Sequence, residues 1–528
     1  MGGPKAPKTS TAAASGGKTP GSAADVAVDP TPFARRAAKL DRRLVFRNDP
    51  AHPKRGRGLF AVRSVSINTE VMRVRAAGVV VPRRSKIPTC CRCFSTKRGT
   101  DGRDCHGCRS WFCSTCVDAV AKSSGVAKGS GGGSSGAGDI HKATCDFSQG
   151  LLRLCGNDPE VDEAILRLSG DILARRKAGL INDEEWTLLN TLESSGSSDG
   201  TIGLSVGKLK ECVRLFKETM DMDVSREDVQ TMYRRVVRNL HTVADELTTG
   251  PSQITALFPY AALINHACKA NAFFHSEVVS SSADGPVLEY VLRTTAHVKV
   301  GDEVLVSYLS SASMCDVTER QNALKVWDFR CACSRCAAEI KERKRLDTHP
   351  RPDDPKAANA LNYMLGALSR QFMPQQGSDS DKHHEVLQSA VDLASSGAGE
   401  LVSPVLQQRL ALNTPTFMTH VDPHGELKML RLMAFAQAAE ELTKILDHKS
   451  IYMHRLVFRE AVELLRDPET PKFLIDMAQK ALFNAIKASR VFFGPRHALT
   501  LLLKEKLESF QKQVARAVVT PIGKKGQA

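Results

Sequence analysis

Fifteen cysteines constrain this chain more than any other feature, because most of them fall in short groups. Cys90, Cys93, Cys105, Cys108, Cys113, Cys116 and Cys145, with His141, form four pairs within residues 89–145. Cys331, Cys333 and Cys336 form a trio that needs a fourth donor. Structural zinc takes four thiolate or imidazole ligands in a tetrahedron, and Cys-x-Cys or Cys-x2-Cys spacing holds two thiolates about one edge apart. A disulfide framework is the alternative. Zinc is preferred, because no apolar signal segment opens the chain and 528 residues need no staples to hold a core. Interleaving then sorts the eight ligands. Pairs one and three hold one ion and pairs two and four the other, so each loop closes through its neighbour and the module becomes rigid. Cys91 competes with Cys90 for the first site.

Length allows two to four domains. No run of 18 apolar residues occurs, which predicts no membrane span. The formal net charge is +15, and residues 1–60 carry twelve Lys/Arg against four Asp/Glu. Residues 1–44 read as a disordered basic tail, with a transit peptide as the alternative. Nucleic-acid binding by that tail is a weaker expectation, since aromatic residues do not interleave with the basic ones.

Residues 45–88 turn apolar and β-branched, which fits short strands with Gly turns. Residues 129–136 are all Gly and Ser and predict a flexible loop. Within 146–250 apolar residues recur at helical spacing, as in Val229, Met232, Val236 and Leu240. Strands return over 251–310, and 311–340 holds the cysteine trio. From 341 to 528 the stripes Leu432/Phe435/Ala439/Leu442, Phe473/Met477/Ala481 and Leu499/Leu503/Leu507/Phe510 predict amphipathic helices of helix-hairpin type, with Gly494-Pro495 breaking the last pair. Residues 341–345 form a charged helix face, with a nuclear-localisation patch as the alternative.

Residues 89–145 resemble a MYND finger, whose end leaves three residues between a His and the last Cys, as in His141-Lys142-Ala143-Thr144-Cys145. Cys113-x2-Cys116 departs from the family's wider spacing, and a Gly/Ser insertion precedes His141. Arg55-Gly56-Arg57-Gly58-Leu59-Phe60 resembles the opening turn of a SET-domain methyltransferase. Asn265-His266-Ala267-Cys268-Lys269-Ala270-Asn271 is similar to its Asn-His-Ser-Cys-x-Pro-Asn signature, with Ala for Ser and for Pro. The run from Val300 to Tyr308 is similar to the strand that delivers its active-site tyrosine. The order of parts resembles the SET-and-MYND lysine methyltransferases over about residues 45–515. That likeness implies an α+β chain: a SET-type β fold of short strands, an inserted MYND-like zinc finger (89–145), a helical insertion (146–250), a SET core (251–310), a zinc-binding post-SET segment (311–340) and an all-helical, TPR-like C-terminal domain (341–528).

The resemblance also implies roles. Cys268 is the fourth ligand beside Cys331, Cys333 and Cys336, giving three zinc ions in all, and leaves Cys91, Cys155, Cys212 and Cys315 outside the ligand sets. The cofactor is S-adenosylmethionine, held by Arg55, Arg57, Gly58, Asn239, Asn265, His266, Tyr308 and Phe329. Glycines of the opening turn let the backbone approach it; Phe329 stacks on adenine. Tyr308 is the catalytic hydroxyl, and Trp327 stands in the wall of the lysine channel. A free lysine has a pKa near 10.4, so about one in a thousand is neutral at pH 7, and a narrow apolar channel favours the neutral amine. The implied activity is protein-lysine N-methylation of histone or non-histone substrates by a monomer in nucleus or cytoplasm. The finger would bind a peptide or nucleic acid, or act only as a brace. A non-catalytic adaptor that recruits partners through finger and helical tail is the competing reading.

Overall fold

The computed structural model describes residues 29, 31–37, 39–48, 56–82, 89–94, 102–117, 137–155, 163–194, 204–244, 253–281, 285–309, 316–369, 380–395, 401–422, 427–466 and 471–519. The expected α+β class is what it shows: short strands in small sheets, cysteine-rich clusters and a helical C-terminal region.

Three small antiparallel sheets form the centre. Strands β1 (Leu44–Asn48), β2 (Arg57–Ala61) and β11 (Glu303–Val304) make the first. In the second, β10 (Gly285–Thr294) runs between β3 (Glu70–Arg75) and β9 (Ala272–Ser281). The third places β8 (Gln253–Leu257) between β4 (Gly78–Val80) and β7 (Leu240–Ala244). Alternation with a period of two aims Leu288, Tyr290 and Leu292 into a shared core with Met72 and Val74. On the β3 surface beside them, Arg73 meets Glu70, Glu277 and Glu289 at 2.9, 2.7 and 3.1 Å.

Helices Ala137–Cys155, Glu163–Lys177, Val206–Met220 and Arg226–Asn239 cover one side of this centre and bury Phe147, Leu168, Ile172, Phe216 and Val236 in the same core. Arg226–Asn239 starts on a reciprocal cap, in which the Ser225 hydroxyl accepts from Asp228 N and the Asp228 carboxylate accepts from Ser225 N. The finger docks through buried Arg167, whose guanidinium donates to Val81 O and Ser110 Oγ, both at 3.1 Å.

Beyond residue 350 the chain is helical, from Asp354–Ser369 through Ala498–Val519. Successive helices pack on one another around two cores, one centred on Leu361, Met364 and Phe417, the other on Phe435, Leu482 and Leu503. Within the second, burial pushes His454 down to about pKa 4 from 6.5. The unfolded chain therefore takes a proton that the native helices refuse. The stability that follows is complete above pH 6.5 and lost as the pH falls toward 4, by up to about 3 kcal/mol. His454→Gln should flatten that slope in urea melts across this window; an unchanged slope would assign it to other groups.

Three boundaries read from the sequence need correction. The disordered tail expected over residues 1–44 does not extend through Thr31–Ala37, which is helical: Thr31 N donates to Asp29 Oδ1 at 2.9 Å, and Ala34 is fully buried. Residues 1–28 lie outside the described residues. The break at 145/146 falls inside one helix, Ala137–Cys155, whose i,i+4 face supplies His141 and Cys145 before Phe147 and Leu151 enter the core. Likewise 340/341 falls inside Ser334–Thr348, which carries Cys336 in its first turn. Helical geometry serves the ligand pair and the packing at once, so no linker separates them. The Gly/Ser loop at 129–136 lies outside the described residues.

Candidate active site and metal centres

Three donor clusters have the composition and spacing of structural zinc sites. Cys90, Cys93, Cys113 and Cys116 form one, Cys105, Cys108, His141 and Cys145 the second, and Cys268, Cys331, Cys333 and Cys336 the third; within each, the ligand atoms lie within 4.8 Å of one another. Sulfur pairs such as Cys93–Cys113 at 3.7 Å, Cys105–Cys145 at 3.6 Å and Cys268–Cys336 at 3.6 Å match the edge of a tetrahedron with Zn–S bonds of about 2.3 Å. In the finger the short hairpin of β5 (Gly102–Asp104) and β6 (Trp111–Cys113) sets the ligand loops side by side. Gly102 sits against Trp111, so a Cβ there would lie 2.4 Å from the indole. Burial lowers the pKa of His141, favouring the neutral imidazole that ligates metal. Cys91 stands apart: burial pushes its thiol up to about 11, and it faces Arg167 and Ser110.

The third cluster sits in the wall of a cavity of about 1140 Å³. Its loop is fixed at both backbone atoms of Cys331, since Gln321 donates to Cys331 O at 2.7 Å and accepts from Cys331 N at 3.0 Å. Fully buried Arg320 lies 2.9 Å from Glu339 and 3.6 Å from Cys336 Sγ, which places a cation beside the excess negative charge of a four-thiolate zinc site. Cys268 reaches this cluster from the segment that also carries Asn265 and His266. That segment lies along residues 304–308, with Ala267 N donating to Val306 O and Val306 N to Asn265 O at 3.0 and 3.1 Å.

Of the residues assigned to cofactor or channel, the cavity brings together Arg57, Asn239, Asn265, His266, Tyr308, Trp327 and Phe329. Arg55 lies outside the described residues. Tyr308, Trp327, Phe329 and His266 form an aromatic cluster, with centroids 5.2 Å apart for Tyr308–Trp327 and for His266–Tyr308, and 5.9 Å for His266–Phe329. The Tyr308 hydroxyl donates to Ile264 O at 2.7 Å, and burial holds its phenol well above the usual range. It stays protonated and keeps lone pairs to accept a hydrogen bond. Trp327 is anchored by Nε1 donating to Arg238 O at 2.7 Å.

Two expectations change in their reasons. Gly58 is absent from the cavity lining; a Cβ there would meet Glu303 Oε1 at 2.2 Å and Asn265 Nδ2 at 3.0 Å. Its close approach serves side chains under the cavity, whereas Gly56, at φ +69°, is the glycine that lines it. The His266 ring is committed to protein: Nδ1 accepts from Tyr308 N at 2.9 Å, and Nε2 lies 3.2 Å from Cys268 Sγ. Its side chain orients the third cluster. Asn239 closes its helix with Nδ2 donating to Glu193 O and Arg235 O at 2.9 and 2.7 Å.

Sequence reasoning missed Glu303 and His241. Glu303 Oε1 accepts from Asn265 Nδ2 at 2.7 Å, while Arg57 O accepts from the same amide at 3.1 Å. A carboxylate two residues after Gly301 is the only signal available. Glu303→Gln should misorient Asn265 and weaken S-adenosylmethionine binding about tenfold or more, the scale of a lost charge-assisted hydrogen bond. Calorimetry checks this, and unaltered affinity would deny Glu303 that positioning role. His241, among Phe258, Phe274 and Tyr290 at 5.4–5.6 Å, is pushed down to about pKa 4 by burial and presents a neutral ring to the cavity.

The resident groups fit this chemistry. Four soft donors at tetrahedral spacing suit zinc, and a cavity lined by asparagine side chains, an arginine and aromatic rings suits a cofactor with a charged tail and a flat base.

An α+β fold with three cysteine-rich donor clusters and an aromatic-walled cavity over a buried tyrosine defines the class. No family model matches the chain. It is similar to histone-lysine N-methyltransferase ASHR1 of Arabidopsis thaliana, with 22% identity over 54% of this chain and 54% of that protein. N-lysine methyltransferase SMYD2 of Gallus gallus is 23% identical over 60% of this chain and 65% of its own, and that of Homo sapiens 22% over 58% and 63%. The match thus spans less than two thirds of these relatives' length. A crystal structure of the SET domain of LSMT bound to lysine and AdoHcy covers 92% of both chains at 15% identity, with a TM-score of 0.25. The chain is thus similar to lysine methyltransferases of the SMYD2 and ASHR1 kind.

Proposed function

We propose that the protein transfers a methyl group from S-adenosylmethionine to lysine side chains of protein substrates, histone or non-histone, as a monomer with three structural zinc ions, in nucleus or cytoplasm. The observation that carries this reading is the double use of residues 265–268. Asn265 faces the cavity, while Cys268 joins the third cluster whose loop positions Phe329.

Bound S-adenosylmethionine supplies an electrophilic methyl group. Asn265 and Asn239 through their side-chain oxygens, together with Arg57, would hold its polar end, and Phe329 would stack on its flat end. Tyr308 and Trp327, in the aromatic wall, exclude water from the incoming amine, which favours its neutral form. The Tyr308 oxygen, with its proton engaged by Ile264 O, accepts from the amine N–H and keeps the nitrogen lone pair aimed at the methyl group. The indole of Trp327 narrows the channel and limits the number of methyl groups added. The finger serves as a peptide-binding surface or as a brace.

Incubating a proteome extract with purified protein and labelled cofactor tests the reading: transfer to lysine is expected. Absence of both cofactor binding and transfer would leave a non-catalytic adaptor.

A further inference from the structure

A fourth donor group lies apart from the three cysteine clusters, where the central sheets meet the C-terminal helices. His275 and Glu277 project from β9, and His497 stands on the turn that opens Ala498–Val519; each offers one ligand atom, and these lie within 4.8 Å of one another. We propose that His275, Glu277 and His497 bind a divalent transition cation of the zinc type, which ties the second sheet to the C-terminal helical domain.

Two imidazoles and one carboxylate form a donor set that zinc accepts, with a fourth position open to water. The carboxylate is already oriented: Glu277 Oε2 takes a 2.7 Å contact from Arg73, and Oε1 lies 3.1 Å from His275 Nε2. An outer hydrogen bond that fixes a ligating oxygen is the usual partner of a metal site. His275 is buried, and its Nδ1 meets no hydrogen-bond partner among the described residues. Because a carboxylate only accepts, the neutral ring carries its proton on Nε2 and holds a bare lone pair on Nδ1. A buried acceptor without a partner is unfavourable, and a cation beside it relieves that. His497 is only partly buried, and its Nδ1 accepts from Leu499 N at 3.2 Å, which orients the ring on its turn. Its ring packs 4.8 Å from Phe493 and 5.2 Å from His275.

Local charge permits a cation. Arg73, Arg75 and Arg293 face three carboxylates, Glu70, Glu277 and Glu289, so the surrounding charges balance before metal enters. The three ligand atoms lie within 4.8 Å of one another, the same limit that the cysteine clusters meet, and His497 is the partly exposed member. Position gives the site a role. His275 and Phe492 both line the large cavity, so an ion here would fix the wall that the helical domain contributes.

The experiment uses full-length protein purified with its thiolate sites filled, then titrated with cobalt(II). One further equivalent is expected, with weak ligand-field bands and no added thiolate charge-transfer band. His497→Ala and Glu277→Gln should each weaken that uptake at least about tenfold while the metal held by the cysteine clusters stays constant, which also reports that the variants fold. Zinc should raise the melting temperature of the wild type and leave that of His497→Ala unmoved. Absence of the extra equivalent in the wild type, equal uptake by His497→Ala, or a thiolate band on the extra equivalent would each overturn the proposal. Loss of the thiolate-bound metal is read separately, so failure of the three-zinc reading is distinguishable.

Discussion

Tyr308→Phe is expected to keep S-adenosylmethionine affinity within about twofold and to lower methyl transfer by about 10²–10³, the scale found when one preorganised polar group facing a reacting centre is removed. The substitution removes one oxygen and leaves the ring, so contacts with His266, Trp327 and Phe329 survive. Ile264 O loses its 2.7 Å donor, a modest stability cost of about 1 kcal/mol. The larger loss falls on transfer. Without the phenol oxygen, the amine N–H groups lose their acceptor at that position, and the fraction of bound lysines with the lone pair aimed at the methyl group drops. Single-turnover assays with preloaded cofactor separate the two effects: the rate falls and the cofactor dissociation constant holds. Near-normal turnover would remove Tyr308 from the reacting centre, and a matching collapse in cofactor affinity would recast it as a packing residue.

Metal ligands were legible because chemistry dictates both their type and their spacing. A Cys-x2-Cys pair means nearly the same geometry wherever it occurs, so Cys90/Cys93 and Cys105/Cys108 could be grouped before any fold was known. Joining Cys268 to a trio more than sixty residues away needed the family likeness, since spacing carries no information across that gap. Amphipathic stripes such as Leu432/Phe435/Ala439 read well for the same reason, a period fixed by the helix itself. Glu303 did not. Its role depends on Arg57 and Gly58 of β2 and Asn265 of a loop converging on β11, and no local pattern marks an acidic residue at the start of a short strand for that. Helix Thr31–Ala37 was hidden by composition: Ala, Arg and Pro in a basic stretch look like tail until Ala34 meets the core that encloses Leu44 and Phe46. His275, Glu277 and His497 were beyond reach too, because the turn after Gly494 returns beside β9 only through packing of the helical domain.

Cys268→Ser should release one zinc equivalent and weaken S-adenosylmethionine binding by about 10–100-fold, the range for disturbed metal-site architecture. A serine hydroxyl at neutral pH is a poor substitute for a thiolate, and three thiolates without a metal repel one another in a buried site. The consequence travels along covalent neighbours. Cys331 and Cys333 fix the loop that follows Phe329, and on release weaker contacts remain, among them the Gln321 hydrogen bonds, Trp327 Nε1–H to Arg238 O and Arg238 to Asp328. Arg320, fully buried beside Cys336, then keeps Glu339 as its partner but loses the thiolate charge next to it. Phe329 loses its fixed backbone and with it the stacking face. Eight ligands in the finger are untouched, so metal analysis should fall by one equivalent with the finger's share intact, and calorimetry should show the cofactor loss in the same preparation. Unchanged zinc content would detach Cys268 from the cluster; zinc loss with unchanged cofactor affinity would keep the ligand set but break the link between metal and binding cavity on which the enzymatic reading depends.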